Sequence, residues 1–135
     1  MHLDNSLESL NIEEIVSFFS EDCEIILLDI KLEGKAGVRK WLKWMLTRLK
    51  EIRFEPVIIM VENNFFFEEF IVKAILLDGS EVESKWAEVL IYENYKIKSL
   101  RLYFDRLDFA NSIIKGPISK MIIKKIIKES TKGLV

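Results

Sequence analysis

Near its carboxyl end the chain carries the sequence KIKSLRLYFDRLDFA, residues 96–110. Polar and apolar residues alternate in the first part of this stretch, which predicts a strand with one buried face. Leu100, Leu102 and Phe104 share that face, and the residues between them share the other. The alternation stops after Asp105. The stretch therefore predicts the last strand of a sheet, followed by a short helix.

The remaining chain predicts helices and strands in a definite order, from apolar residues that recur every three or four positions or alternate. The predicted elements are helices at 12–20, 36–51 and 118–131 and strands at 23–30, 53–62, 65–77, 81–92 and 96–105. Asp78-Gly79 is a two-residue hairpin signal between two of these strands. Helix, strand, helix and a four-strand antiparallel meander predict an α+β fold with a curved sheet wrapped around helices.

The last predicted strand also supports a resemblance to a known group of proteins. A strand that ends in Tyr103-Phe104-Asp105 and precedes a short helix is similar to the nuclear transport factor 2-like superfamily. That superfamily includes ketosteroid isomerases, SnoaL-like polyketide cyclases and limonene-epoxide hydrolases. The resemblance covers residues 11–110 and implies a cone-shaped fold, with residues 111–135 as extra C-terminal helices. Residues 1–135 would then form a single SnoaL-like domain.

Composition restricts the kind of protein and its partners. The 135 residues are 50% hydrophobic and 31% charged, which is typical of one folded domain. The net charge of −2 gives no indication of a nucleic-acid partner. Cys23 is the only cysteine and the amino terminus lacks a signal-peptide pattern, so we expect a cytoplasmic protein. With one histidine and one cysteine, we expect no zinc or iron site and no cofactor.

The alternation within the strands predicts which residues line the inside of the cone. If Leu102 and Phe104 point inward, as the resemblance implies, pairing across the hairpins assigns the inward residues of the other strands. The predicted ligand-binding residues are Leu27, Ile71, Lys73, Trp86, Leu102 and Phe104. The predicted inward acids, which are the candidates for catalysis, are Asp29, Glu69 and Glu88.

The catalytic residues of the known relatives are absent from the matching positions. Limonene-epoxide hydrolases use an Asp-Arg-Asp set, and the resemblance places Glu69 at its arginine position and Ile71 and Leu102 at its aspartate positions. Leucine and isoleucine cannot transfer a proton, so that reaction is not expected. The first-strand aspartate of ketosteroid isomerases corresponds to Leu27, and Asp29 is the next inward residue.

Two interpretations of the acids remain open. In the first, one of the three acids in an apolar cone has a raised pKa and transfers protons, while Lys73 orients an oxyanion. The protein would then be an isomerase- or cyclase-type enzyme that binds a small, mostly hydrophobic molecule. In the second, Glu69 and Glu88 pair with Lys73 across strands or lie at the wet mouth of the cone. The protein would then be a non-catalytic ligand-binding or dimeric assembly module.

Two surfaces are candidates for contacts with other molecules. The outer face of the sheet is apolar, and the resemblance implies a homodimer through it. The predicted outer residues are Phe66, Phe70, Val72, Ala87, Val89 and Ile91. The last helix is amphipathic and basic, because six lysines and one glutamate follow Ile114. We expect this helix to dock on its own domain or on a partner, with an anionic membrane as the alternative.

Overall fold

The computed structural model describes residues 7–114 and 116–134, which divide into a unit that ends at Phe104 and a second unit that begins at Asp105. The elements of the first unit are α1 (Ile12–Ser17), β1 (Phe19–Leu27), β2 (Ile30–Glu33), α2 (Gly34–Leu46), β3 (Leu49–Glu62), β4 (Phe65–Leu76), β5 (Glu81–Glu93) and β6 (Lys96–Phe104). The second unit contains α3 (Leu107–Ile113) and α4 (Pro117–Ser130).

Within the described residues the strands form one curved, open sheet in the order β2–β1–β6–β5–β4–β3. From β3 to β6 each strand is antiparallel to the next, which confirms the predicted meander. β1 instead runs parallel to β6, with Ile25 opposite Leu100 and Leu27 opposite Leu102. The sheet and its helices confirm the predicted α+β cone fold.

The first strand is longer than its sequence predicts. Polar residues 20–22 predict the end of a helix, but β1 begins at Phe19 and includes them. The cause is pairing with β6, because the Ile97 N–H donates a 2.8 Å hydrogen bond to the Phe18 carbonyl oxygen. After β1 the chain turns at Leu28, whose φ of 56° lies in the left-handed region. It then returns as β2, a short strand that the sequence analysis does not predict.

α2 packs its apolar side against β1. Its buried residues recur at helical spacing and are Gly37, Val38, Trp41, Leu42, Met45 and Leu46. Trp41 meets Phe19 edge to face, with ring centroids 6.5 Å apart. Trp44, on another side of the helix, is exposed and has the Arg48 guanidinium over its ring. The helix therefore covers the β1 end of the sheet.

β3 forms one edge of the described sheet and is irregular near its middle. Its register against β4 shifts between Pro56 and Ile58, which is a β-bulge. The residues from Val57 to Val61 are all apolar, yet each is between 47% and 67% exposed. Proline supplies no N–H to a neighbouring strand, and proline and bulges both discourage edge-to-edge pairing. The apolar end of this edge strand is therefore exposed, and the proline and the bulge at its start discourage pairing with another strand.

The second unit begins with a capped turn. Asp105 Oδ1 accepts a 2.9 Å hydrogen bond from the Leu107 N–H at the start of α3. Gly116 has a φ of 105°, and Pro117 is the first residue of α4. The two predicted C-terminal helices are therefore confirmed. In residues 7–114 and 116–134, no helix is long and apolar enough to cross a membrane.

Candidate functional site

Two glutamates face each other on the inner face of the sheet, which is the face that carries the buried residues of β4, β5 and β6. Glu68 of β4 lies directly opposite Glu88 of β5, and we call them the carboxyl pair. Two residues along, Trp86 lies between Phe70 and Phe104, and these three form the aromatic row. Successive residues on one face of a strand are about 7 Å apart, so the carboxyl pair adjoins the aromatic row.

The residues of β4 lie on different faces from those predicted. The prediction that Glu69, Ile71 and Lys73 point inward is wrong, because all three lie on the outer face. Lys73 is exposed and forms a 2.9 Å ion pair with a carboxylate of β3. The outer placement of Phe66, Phe70 and Val72 is also wrong, because all three lie on the inner face, where Phe70 and Val72 are 3% and 2% exposed. Glu69, Ile71 and Lys73 therefore do not line a pocket with Trp86.

The cause is the length of the hairpin turn between β4 and β5. Asp78-Gly79 predicts a two-residue turn, but the turn has three residues, because the Leu76 N–H donates a 2.9 Å hydrogen bond to the Ser80 carbonyl oxygen. Gly79 takes a φ of 87°, the left-handed conformation that a three-residue turn needs. One additional turn residue shifts the pairing by one position, which moves every side chain of β4 to the other face.

The carboxyl pair is almost fully buried, with Glu68 1% and Glu88 3% exposed. Burial raises the pKa of Glu68 above its usual value of 4.5, and the interaction with the neighbouring Glu88 carboxyl group opposes that rise. Neither carboxyl oxygen of Glu68 forms a hydrogen bond of regular geometry with a residue in the described part of the chain. Two facing carboxyl groups hold one proton more readily than two negative charges. The pair is therefore suited to both accepting and donating a proton.

Aromatic rings form a wall beside the carboxyl pair. Trp86 stacks on Phe104, with ring centroids 4.5 Å apart and planes inclined by 16°. Phe70 lies 6.1 Å from Trp86, and Phe54 of β3 lies 5.6 Å from Phe70. The Trp86 indole N–H donates a 2.9 Å hydrogen bond to Ser84 Oγ, which satisfies the one polar group of the ring. The acids are therefore bordered on this side by apolar rings, of which Phe70 and Trp86 are buried.

Most of the other predicted site residues lie where the sequence places them. Glu88, Trp86 and Leu102 are buried on the inner face, and Leu27 lies opposite Leu102. Asp29 does not join them, because β1 ends at Leu27 and Asp29 is exposed in the turn that follows. The prediction that Asp29 points inward is therefore wrong, since the strand ends two residues before it. The roles of these residues in binding or catalysis remain predictions.

Glu68 is the candidate that the sequence analysis missed. The run Phe65-Phe66-Phe67 places aromatic side chains on both faces of β4, so alternation alone does not identify its inner face. A signal was nevertheless present at the other end of the strand. Val72 and Ala74 are apolar and buried, whereas Lys73 between them is charged and exposed. That pattern assigns the even-numbered residues, Glu68 included, to the inner face.

Two open cavities have linings that do not include the carboxyl pair. The larger, about 640 Å³, is lined by residues of β3, β4 and β5 that include Arg53, Lys73 and Glu83. The smaller, about 240 Å³, lies beside the start of β1 and includes Lys35 and Lys96. In the described part of the chain, no group of three or more histidine, cysteine, aspartate or glutamate side chains could hold a metal ion.

Comparison with known proteins gives a family match over most of the chain. A family model described as a SnoaL-like domain matches residues 2–100. No match to a curated protein reaches significance. Many solved structures share the fold, which confirms the resemblance to nuclear transport factor 2-like proteins.

Three solved structures illustrate how distant these similarities are in sequence. An NTF2-like protein of unknown function from Burkholderia pseudomallei is 13% identical, with a TM-score of 0.74 over 84% of this chain and 92% of that one. TerC, co-crystallised with polyporic acid, is 18% identical, with a TM-score of 0.70 over 81% and 90%. SalBIII, an epoxide hydrolase/cyclase-like enzyme in pyran ring formation in polyether salinomycin, is 17% identical, with a TM-score of 0.70 over 79% and 88%. At these identities the similarity shows the fold alone.

Proposed function

Because the chain belongs to the SnoaL-like domain family, we propose that it is an isomerase- or cyclase-type enzyme that moves protons on a small, mostly hydrophobic molecule. The observation that carries this proposal is the buried carboxyl pair, Glu68 and Glu88, beside the aromatic row. Glu68 is costly to keep buried, because neither of its carboxyl oxygens forms a hydrogen bond of regular geometry within the described residues, and a chemical use of the pair explains why it is kept.

The two acids divide the work between them. With one shared proton, the ionised carboxylate removes a proton from a carbon next to a carbonyl group, and the protonated carboxyl returns a proton at another position of the same molecule. The proton count of the pair is the same before and after, so the reaction needs no oxidant or reductant. Positioned acid–base groups of this kind contribute roughly 10²–10⁴-fold to a rate.

The aromatic row determines the kind of molecule that fits. Trp86 and Phe104 stack on each other beside the carboxyl pair, so a substrate that reaches the pair meets apolar ring surface, against which flat apolar groups bind well. The fold neighbours support this class, because SalBIII takes part in pyran ring formation and TerC was co-crystallised with polyporic acid. The proposed substrate is therefore a ring-containing or ring-forming carbonyl compound.

Proton removal can be tested without knowledge of the natural substrate. The probe is 3-cyclohexenone, a small β,γ-unsaturated ketone, and nuclear magnetic resonance in D₂O measures deuterium uptake next to its carbonyl and conversion to the conjugated isomer. We expect catalysed exchange by the wild type, a loss of roughly 10²-fold or more in Glu68→Gln and Glu88→Gln, and full activity in Glu69→Gln. Exchange that is equal in all four proteins would contradict the role of the pair.

We also propose, as the arrangement in which this protein works, a homodimer through the outer face of the sheet. The outer apolar patch consists of Ile58, Met60, Phe67, Ile71, Val89 and Ile91. Ile58 is 47% and Met60 60% exposed, and they continue into partly exposed apolar side chains of β4 and β5, which makes a larger apolar surface than scattered single residues would. The outer apolar patch thus supports a second copy of the chain on this face. On β4 the patch contains Phe67 and Ile71 in place of the predicted outer residues.

Sedimentation velocity tests the homodimer. The wild type should sediment as a dimer, and Val89→Glu should sediment as a monomer because a charge would be buried at the centre of the patch. Glu83→Lys, which changes an exposed charge elsewhere on the same strand, is the matched control and should remain a dimer. A monomeric wild type would exclude this arrangement. A dimeric Val89→Glu would move the interface to another surface.

The alternative to an enzyme is a non-catalytic binding module. If the wild type, Glu68→Gln and Glu88→Gln all bind 3-cyclohexenone and none of them catalyses proton exchange, the binding module is the better description.

A further inference from the structure

α4 has two sides that differ in charge. Its isoleucines at four-residue spacing form one stripe, Ile118, Ile122 and Ile126. Its lysines at the same spacing are offset by two residues, which is about 200° around a helix, and form a second stripe, Lys120, Lys124 and Lys128. We call these the isoleucine stripe and the lysine stripe. The helix therefore carries isoleucines and lysines on opposite sides, and its other charged residues, Lys125 and Glu129, lie toward the isoleucine side.

The isoleucine stripe is exposed in the structure. Ile118 is 72%, Ile122 55% and Ile126 49% exposed, and of the apolar side chains of α4 only Ile123 is buried. Docking of this stripe on its own domain or on a partner remains a prediction. Three exposed isoleucines in a row are an unfavourable surface in water, so an apolar phase or partner is needed to cover them.

From these two stripes we propose that α4 binds the surface of an anionic lipid membrane. The isoleucine stripe would lie at the boundary between headgroups and acyl chains, and the lysines would contact anionic headgroups. Lys125 lies one helical turn from Ile122, on the side that would face the acyl chains. Its long side chain can extend away from them, so that the ammonium group reaches the headgroups. At 14 residues the helix is about 21 Å long, so it lies on a bilayer and does not cross it.

The charge of the segment supports lipid as the occupant. Six lysines and one glutamate follow Ile114, and each lysine near an anionic bilayer adds to the attraction. Nucleic acid would also attract lysines, but α4 has no arginine to read bases and no aromatic ring to stack on them. Nucleic acid would also leave the isoleucine stripe uncovered. An anionic lipid surface accounts for both stripes.

Vesicle flotation of the full chain tests the proposal. The probes are vesicles of phosphatidylcholine alone and of equal parts phosphatidylcholine and phosphatidylglycerol. We expect binding to the anionic vesicles only, weakened by salt. Replacing Lys120, Lys124 and Lys128 with glutamine should reduce the partition coefficient on the order of 100-fold. Replacing the isoleucine stripe with serine should reduce it by at least a comparable factor, because three buried side chains are lost.

Matched controls separate this effect from general charge and from misfolding. The control replaces three exposed lysines of the first unit, Lys40, Lys43 and Lys50, with glutamine. Binding should stay within about twofold of wild type, because salt screens the attraction between distant lysines and the lipid headgroups. Circular dichroism should show the same folded signal for all variants. Equal binding to both kinds of vesicle, no binding to either, or equal loss in the control triple would overturn the proposal. So would binding to polyuridine together with failure to bind vesicles.

Discussion

Replacing Glu68 with glutamine removes a carboxyl group that is 1% exposed, with almost no change in size. Each unit by which burial raises a pKa corresponds to about 1.4 kcal/mol of cost for the charged form. A buried polar group without a good hydrogen bond costs about 1–3 kcal/mol, and the glutamine amide can donate one to Glu88. We therefore expect Glu68→Gln to be more stable than the wild type by about 1–3 kcal/mol at about pH 8.

The sign of the pH dependence follows from the direction of the pKa shift. Burial raises the pKa of Glu68 above 4.5 in the folded protein, so between 4.5 and the raised value the folded state binds more protons than the unfolded state. The stability that this proton provides is fully present below about 4.5 and is lost as the pH rises through that window. Glutamine does not titrate. The advantage of the variant should therefore disappear near about pH 4 and grow toward neutral pH.

Urea unfolding, followed by tryptophan fluorescence at several pH values, measures this difference. Glu69→Gln is the matched control, because it alters the next residue of the same strand on the opposite face. It removes a carboxylate from the outer face, so it controls for the loss of a negative charge without the loss of a buried one. An advantage of Glu68→Gln that is constant across the pH range, or that grows toward acid, would refute the reasoning. The same pH dependence in both variants would contradict the observed register of β4.

Three further substitutions test the first unit, each by urea unfolding against the wild type. Leu100→Ala should lower the free energy of unfolding by about 2–5 kcal/mol, because Leu100 is fully buried. A loss below about 1 kcal/mol would mean that neighbouring side chains move in and fill the cavity. Asn11→Ala should cost about 1 kcal/mol, because the Asn11 side chain accepts a 3.2 Å hydrogen bond from the Glu14 N–H at the start of α1; no loss would mean that water replaces the cap. Gly34→Ala should cost about 1–2 kcal/mol, because Gly34 has a φ of 67°, and an unchanged stability would contradict that conformation.

Much of the fold could be predicted because its helices and strands carry clear periodicities. The apolar residues of α2 recur at helical spacing, and those of β6 alternate, so each element is identifiable from its own residues. β2 could not be predicted in this way. It depends on a turn at Leu28, a leucine with φ of 56°, and leucine carries no signal for that conformation. The early start of β1 depends on pairing with a strand far along the chain, which local sequence does not record.

The site was predictable on one strand and not on its neighbour. Glu88 and Trp86 follow from the alternation of β5, whose register against β6 is unambiguous near Phe104. The face of β4 depends on whether its turn has two residues or three, and Asp78-Gly79 is compatible with both. A single turn residue thus exchanged Glu69 for Glu68 as the candidate acid. The buried pair exists only because two strands meet, so neither glutamate alone indicates it.

The parallel pairing of β1 with β6 also has a consequence for how the chain folds. Ser99 Oγ of β6 donates a hydrogen bond to Glu24 Oε1 of β1, 75 residues earlier. During synthesis β1 leaves the ribosome long before β6, and until then β2 is its only neighbour among the described strands of the sheet. The entropy cost of closing such a loop must be met before the contacts form, and contacts of long sequence separation slow folding. The first unit can therefore complete its sheet only in the last stage of its own synthesis, when β6 is free to join β1 to β5.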